Sequence, residues 1–176
     1  MKTIYDRNCK ECNTTFVPYK TTDRLCYVCT KTKLALKNLE KIKKEKVKKQ
    51  KEDLLTLQDY LKLAQQVFNK WINLRDKGLP CISCDKPING RVNASHFYNA
   101  NNHHNLRFDE DNVHSSCITC NQFLSGNLLE YRMRLIKKIG EERFNRLEQN
   151  RTVTRKWTKD ELKKLIAEYK EKIKNI

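Results

Sequence analysis

A chain of 176 residues carries 37 Lys and Arg against 21 Asp and Glu, a formal net charge of +16. It has no apolar run of about 18 residues, which excludes a transmembrane helix, and its start, Met1-Lys-Thr-Ile-Tyr-Asp, lacks a signal-peptide core. Length allows one or two small domains, and the charge points to nucleic acid ahead of an anionic membrane surface.

Residues 1–30 read as a small zinc-ribbon-like unit built on Cys9, Cys12, Cys26 and Cys29. Only thirteen residues separate Cys12 from Cys26, too few for a hydrophobic core, so a metal must hold the unit together. The other four cysteines, Cys81, Cys84, Cys117 and Cys120, also form two C-x-x-C pairs, and no cysteine is left over. A two-residue gap turns two thiolates toward one ion, so each group of four suits a tetrahedral structural Zn²⁺. Redox-active C-x-x-C motifs are the alternative. They need a βαβ context that the flanks do not show, and without an export signal a reducing cytosol is expected.

Residues 31–53 hold ten Lys against four acidic residues and read as a basic helical linker, solvated more than binding. From residue 54 the pattern becomes regular. Leu57, Leu61, Ala64, Phe68, Trp71 and Ile72 fall three or four apart and predict a helix with one apolar stripe, ended by Gly78 and Pro80. The stripe is expected to pack on the core that follows, with a dimer seam as the alternative.

Thirty-two residues separate Cys84 from Cys117, enough for a hairpin and its loop held by metal at both ends. Arg91 to Tyr98 alternates and predicts a strand, with Leu106-Arg107-Phe108 as its return. From Cys117 the chain reads as helical until Gly126. A further helix is predicted over 128–139, stopped by Gly140. The last opens at Thr158 with Glu161 three residues on, a capping box, and shows Leu162, Leu165, Ile166, Tyr169 and Ile173 as its apolar face.

All four histidines, His96, His103, His104 and His114, lie in one 19-residue window between the later cysteine pairs. Histidine moves protons near neutral pH. His103 and His104 sit in an Asn-rich loop and read as surface residues. His96 ends a predicted strand, and Asp111-Asn112-Val113-His114 leads into Cys117-Ile-Thr-Cys120-Asn121.

The order C-x-x-C, His96, Asn112, C-x-x-C, Asn121 resembles an HNH (ββα-metal, His-Me finger) endonuclease core. Nearly the whole chain is similar to the lambdoid phage NinG/Rap recombination protein family. The matching stretches are Leu79-Pro-Cys-Ile-Ser-Cys84, Leu106-Arg-Phe108, Asn112 to His114, Cys120-Asn-Gln122, Ser125-Gly-Asn-Leu128 and the Arg155-Lys-Trp-Thr158 segment. The implied fold is α+β. A zinc-braced, HNH-like core with its preceding helix spans 54–150, a C-terminal amphipathic helix spans 151–176, and the zinc-ribbon unit lies at the other end of the basic linker.

The resemblance implies a metal-dependent endonuclease for branched DNA such as Holliday junctions, working in the cytoplasm of a bacterial host at the nucleoid. Paired cuts in a symmetric junction would favour a homodimer, and recombination proteins are the other expected partners, with no membrane. His96 would be the general base toward water, Asn121 a ligand of one catalytic divalent cation (Mg²⁺, with Mn²⁺ as alternative), and Asn112 the residue that orients the loop. The two Zn²⁺ would be structural, since four thiolates leave no open position. One departure stands out: HNH enzymes usually carry Asp before the base, and here that position is Ser95. His114 is favoured as the replacement ligand, over the acidic run Asp109, Glu110 and Asp111. Candidate phosphate contacts are Arg107, Arg132, Arg134, Lys137 and Lys138. The competing class is a zinc protein that binds DNA and recruits partners without cutting.

Overall fold

The computed structural model describes residues 6–176. The first five residues of the expected N-terminal unit lie outside it. The chain separates into two compact units, one ending at Leu55 and one spanning Thr56–Ile176.

The first unit opens with two short antiparallel strands, β1 (Arg7–Asn8) and β2 (Thr15–Phe16). A knuckle of cysteines links them. It closes because Asn13 adopts φ 58°, which short amide side chains tolerate, and its N–H returns to the Cys9 carbonyl at 2.9 Å. Helix α1 (Tyr27–Asp53) begins on Cys26, whose Sγ caps the Cys29 N–H. The basic stretch is therefore one uninterrupted helix of 27 residues, and it starts inside the expected ribbon unit. None of its residues is buried.

In the second unit, α2 (Leu57–Arg75) starts at a capping box: Thr56 Oγ1 accepts from the Asp59 N–H and the Asp59 carboxylate accepts from the Thr56 N–H. Its buried face is Tyr60, Ala64, Phe68, Trp71 and Ile72. Leu57, expected in that stripe, stays 37% exposed, and Tyr60 one turn on takes its place. The face packs on α5 (Lys159–Lys174), where Tyr169 meets Phe68 edge-on at 4.9 Å and Trp71 at 5.2 Å. Thr158 and Glu161 form the capping box that starts α5.

Strand β3 (Val92–His96) pairs antiparallel with β4 (Val113–Cys117), with His96 opposite Val113 and Ser95 opposite His114. This corrects the expected hairpin. The return strand is 113–117, whereas Leu106 belongs to a 3₁₀ turn (His104–Leu106) in the connecting loop. Leu106 and Phe108 are buried by the core, not by strand pairing, which three residues could not show. Cys117 closes β4, and the helical stretch expected from there is a π-helical turn (Thr119–Phe123).

Helix α3 (Leu128–Ile139) ends at Gly140, whose φ of 84° suits glycine and turns the chain into α4 (Glu141–Asn150). Sequence reasoning missed α4, which has only Phe144 and Leu147 to bury. These two close a core with Ile82, Leu106, Tyr131, Leu135 and Ile139. The hairpin, its loop and α3 are thus fixed against one another, and they carry the site.

Candidate functional site

Each group of four cysteines converges. In both Cys9/Cys12/Cys26/Cys29 and Cys81/Cys84/Cys117/Cys120, all Sγ atoms lie within 4.8 Å of one another. A tetrahedral ion with bonds of about 2.3 Å sets its sulfurs about 3.8 Å apart. Cys12 and Cys26 are 3.7 Å apart, and Cys84 and Cys117 are 3.9 Å apart. Those spacings fit a shared ion and are far too long for a disulfide.

The two clusters also share a backbone pattern. The Cys26 N–H donates to Cys9 Sγ and the Cys117 N–H to Cys81 Sγ, each at 3.3 Å. N–H groups of Cys12 and Cys26 hold the Cys9 thiol down at about 6. Burial pushes Cys81 up, but the N–H groups of Cys117, Cys84 and Ser83 outweigh it and bring the thiol to about 7. Both are thereby favoured as thiolates, the form that binds metal. Four thiolates this close repel one another, so the donor set calls for a cation such as Zn²⁺.

Beside the second cluster lies a cleft of about 450 Å³, lined by Ser95, His96, Asn99, Asn101, Asn121 and Gly126 among others. The hairpin end supplies His96, and the π-helical turn after Cys120 supplies Asn121. His96 Nε2 lies 2.9 Å from the Arg107 carbonyl oxygen. A carbonyl only accepts, so Nε2 carries the proton and Nδ1 is left as the basic nitrogen. Burial pushes the His96 pKa below the usual histidine value, which keeps the ring neutral near pH 7.

Asn112 is fully buried outside the cleft wall and braces its loop. Its Oδ1 accepts from the Tyr98 N–H at 2.7 Å, and its Nδ2 donates to the Tyr98 and Leu106 carbonyls. His114 is not with His96. Their pairing register sends the two side chains to opposite faces of the hairpin. His114 is 2% exposed, 3.5 Å from the Tyr131 hydroxyl, and lines a separate cavity with Arg75, Asp76 and Lys138. Burial, with the Lys138 and Arg75 charges adding, pushes it down to about 3. The preference for His114 as a cleft ligand is therefore corrected: strand alternation carries it away. The acidic run is also elsewhere. Asp111 pairs with Arg143 and Arg146, Glu110 with Lys172, and none of the three lines the cleft.

The family model described as "Bacteriophage Lambda NinG protein" matches residues 1–176. The chain belongs to the NinG family. Protein ninG of Escherichia phage 933W is 35% identical over 188 residues, covering 97% of this chain and 93% of the relative. The ninG proteins of Escherichia phage lambda and Salmonella phage P22 are each 36% identical over 190 residues, with the same coverage. No solved structure matches this chain. Among the described residues, no helix is long and apolar enough to cross a membrane.

The basic residues singled out in this NinG-family sequence divide sharply. Arg134 holds Glu130 at 2.5 Å and donates to the Ser83 carbonyl, and Lys138 lies 3.3 Å from the buried Asp76 carboxylate. Lys138 is a structural partner first, because the buried Asp76 carboxylate must keep its cation, whereas Glu130 is 44% exposed and leaves Arg134 only a solvent-screened pair. Arg132 covers the Phe144 ring at 5.0 Å. Lys137 lines a cavity with Leu79, Pro80 and Met133. Arg107 donates to the Ala100 carbonyl and to Asn101 Oδ1, closing the loop beside the His96 cleft. A second basic group that the sequence reading passed over, Arg155 and Lys156 beside Trp157, lines a cavity with Arg107. The only sequence signal for it was the basic-aromatic run Arg155-Lys156-Trp157.

Proposed function

We propose that this NinG-family chain is a metal-dependent endonuclease for branched DNA, with an HNH-like core in its second unit. The observation that carries the reading is the shared cleft of His96 and Asn121, with Nε2 anchored on the Arg107 carbonyl. That anchor leaves Nδ1 as the atom that takes a proton from the attacking water. A neutral, buried imidazole is in its basic form at the pH of the cell. Asn112 serves indirectly, by locking Tyr98 and Leu106 so that the loop behind His96 keeps its shape. The second four-cysteine cluster braces the β4 end and the turn that carries Asn121.

A hard cation such as Mg²⁺, bound at the Asn121 amide oxygen, would neutralise charge on the phosphate and on the leaving oxygen. The donor set for it is thin. Asn99 Oδ1 already accepts from the Asn101 N–H, and Asn101 Oδ1 from Arg107. Mg²⁺ commonly keeps several waters and takes substrate phosphate oxygens, so one amide suits a cation recruited together with DNA.

A second reading is a zinc protein that binds branched DNA without cutting it. Its support is also specific: no Asp or Glu is among the residues lining the cleft. One assay separates the two. Fixed four-way, Y-shaped and linear DNA are incubated with the protein and Mg²⁺ or Mn²⁺. Cuts confined to the branched substrates are expected. Tight binding to all branched substrates with no strand cut under either metal would overturn the endonuclease reading.

A further inference from the structure

A groove runs beside Trp157, outside the His96 cleft. Its volume is about 450 Å³, and its lining includes Asn101, His104, Arg107, Arg155, Lys156 and Trp157. Three cations and no carboxylate are among these residues. The Arg155 guanidinium carbon lies over Trp157, 3.8 Å from the ring centroid. The indole itself is held still. Its Nε1 donates to the His104 carbonyl at 2.9 Å, and its ring stands at 74° to the Phe108 ring with centroids 5.1 Å apart. The result is a rigid, planar, positively charged shelf. Glu161 reaches Arg155 at 3.2 Å, but both side chains are more than two-fifths exposed, so water and salt screen the pair and a phosphate can displace it.

The groove also adjoins the cleft. Asn101 lines both cavities. Arg107 lines the groove while its carbonyl anchors His96 and its guanidinium donates to Asn101 Oδ1. Arg107 Nε is buried without a hydrogen-bond partner. Fixed aromatic surface beside cationic groups is how proteins hold single strands: bases stack and phosphates pair, without reading sequence. Paired bases cannot offer their faces in this way.

We infer that the Arg155–Trp157 shelf, with Lys156 and Arg107, is a binding subsite for an unpaired DNA strand next to the His96 cleft. This rests on DNA being the substrate. It makes the subsite a reader of the single-stranded character at a branch point, separate from general attraction to the duplex backbone.

Fluorescence anisotropy of the full chain tests it with three labelled probes: oligothymidylate of about 15 nucleotides, a Y-shaped DNA with unpaired arms, and a blunt duplex. The surface variant Arg155→Gln/Lys156→Gln is expected to lose about tenfold in affinity for the first two and less than twofold for the duplex. In a Trp71→Phe background, oligothymidylate should quench the remaining Trp157 emission, a signal that a merely structural shelf would not give. Equal binding by variant and wild type, or equal loss on all three probes, would overturn the subsite. Should the wild-type chain bind none of the probes, the DNA reading fails and the subsite with it.

Discussion

Asn112 commits both polar atoms of its buried side chain to one loop. Replacement by Ala strands the Tyr98 N–H and two carbonyls away from water. That should cost about 2–4 kcal/mol, read by urea unfolding, even though the residue does not line the cleft. His114 makes a different test, of pH. Its folded pKa is about 3 against an ordinary 6.5, so between those values the unfolded chain binds the extra proton. Stability is therefore complete above 6.5 and falls as pH falls below it. From pH 7 to 5.5 the loss should be about 1 kcal/mol, and His114→Gln should flatten it. The sequence placed both residues near the cysteines but could not say which way each side chain points. A one-residue step along β4 separates Val113, paired with His96, from His114 on the other face. Only the register decides that.

At the scale of elements, the long basic helix depends on the first cysteine cluster. Cys26 is its N-cap, none of its residues is buried, and the exposed Lys33–Glu11 pair adds little support. Cys12→Ser should lower bound metal from about two to one per chain by elemental analysis and reduce the far-UV helical signal. The second unit, with its own core, should keep its unfolding transition. Elements with strong periodicity were legible in advance: α3 spans the predicted residues, and the Thr158/Glu161 box opens α5. The cysteine groupings were legible because spacing alone encodes them. Three kinds of element were not. Leu106-Arg107-Phe108 looks like a strand, but its two apolar residues are buried by tertiary packing around a 3₁₀ turn. The stretch after Cys117 reads as helical, but nothing in its sequence announces the π winding. Helix α4 has too few apolar residues to announce itself.

Across the whole molecule, charge is partitioned. Residues 1–53 carry 15 basic against 7 acidic residues, 77–126 carry 4 against 4, and 127–176 carry 15 against 8. The window that holds every histidine is neutral, and the basic excess lies on its flanks. Flanking cations can attract a DNA backbone while the neutral centre admits a divalent cation without repelling it. The residues lining the cleft itself carry no Lys, Arg, Asp or Glu. The proposed endonuclease activity turns on His96 as the base. Its most direct test is the initial rate of Mg²⁺-dependent cutting of a fixed four-way junction by wild type and by His96→Ala, with junction affinity measured on the same samples. A rate loss of about 10²- to 10⁴-fold with affinity unchanged is predicted. A His96→Ala protein that cuts as fast as wild type would contradict the account.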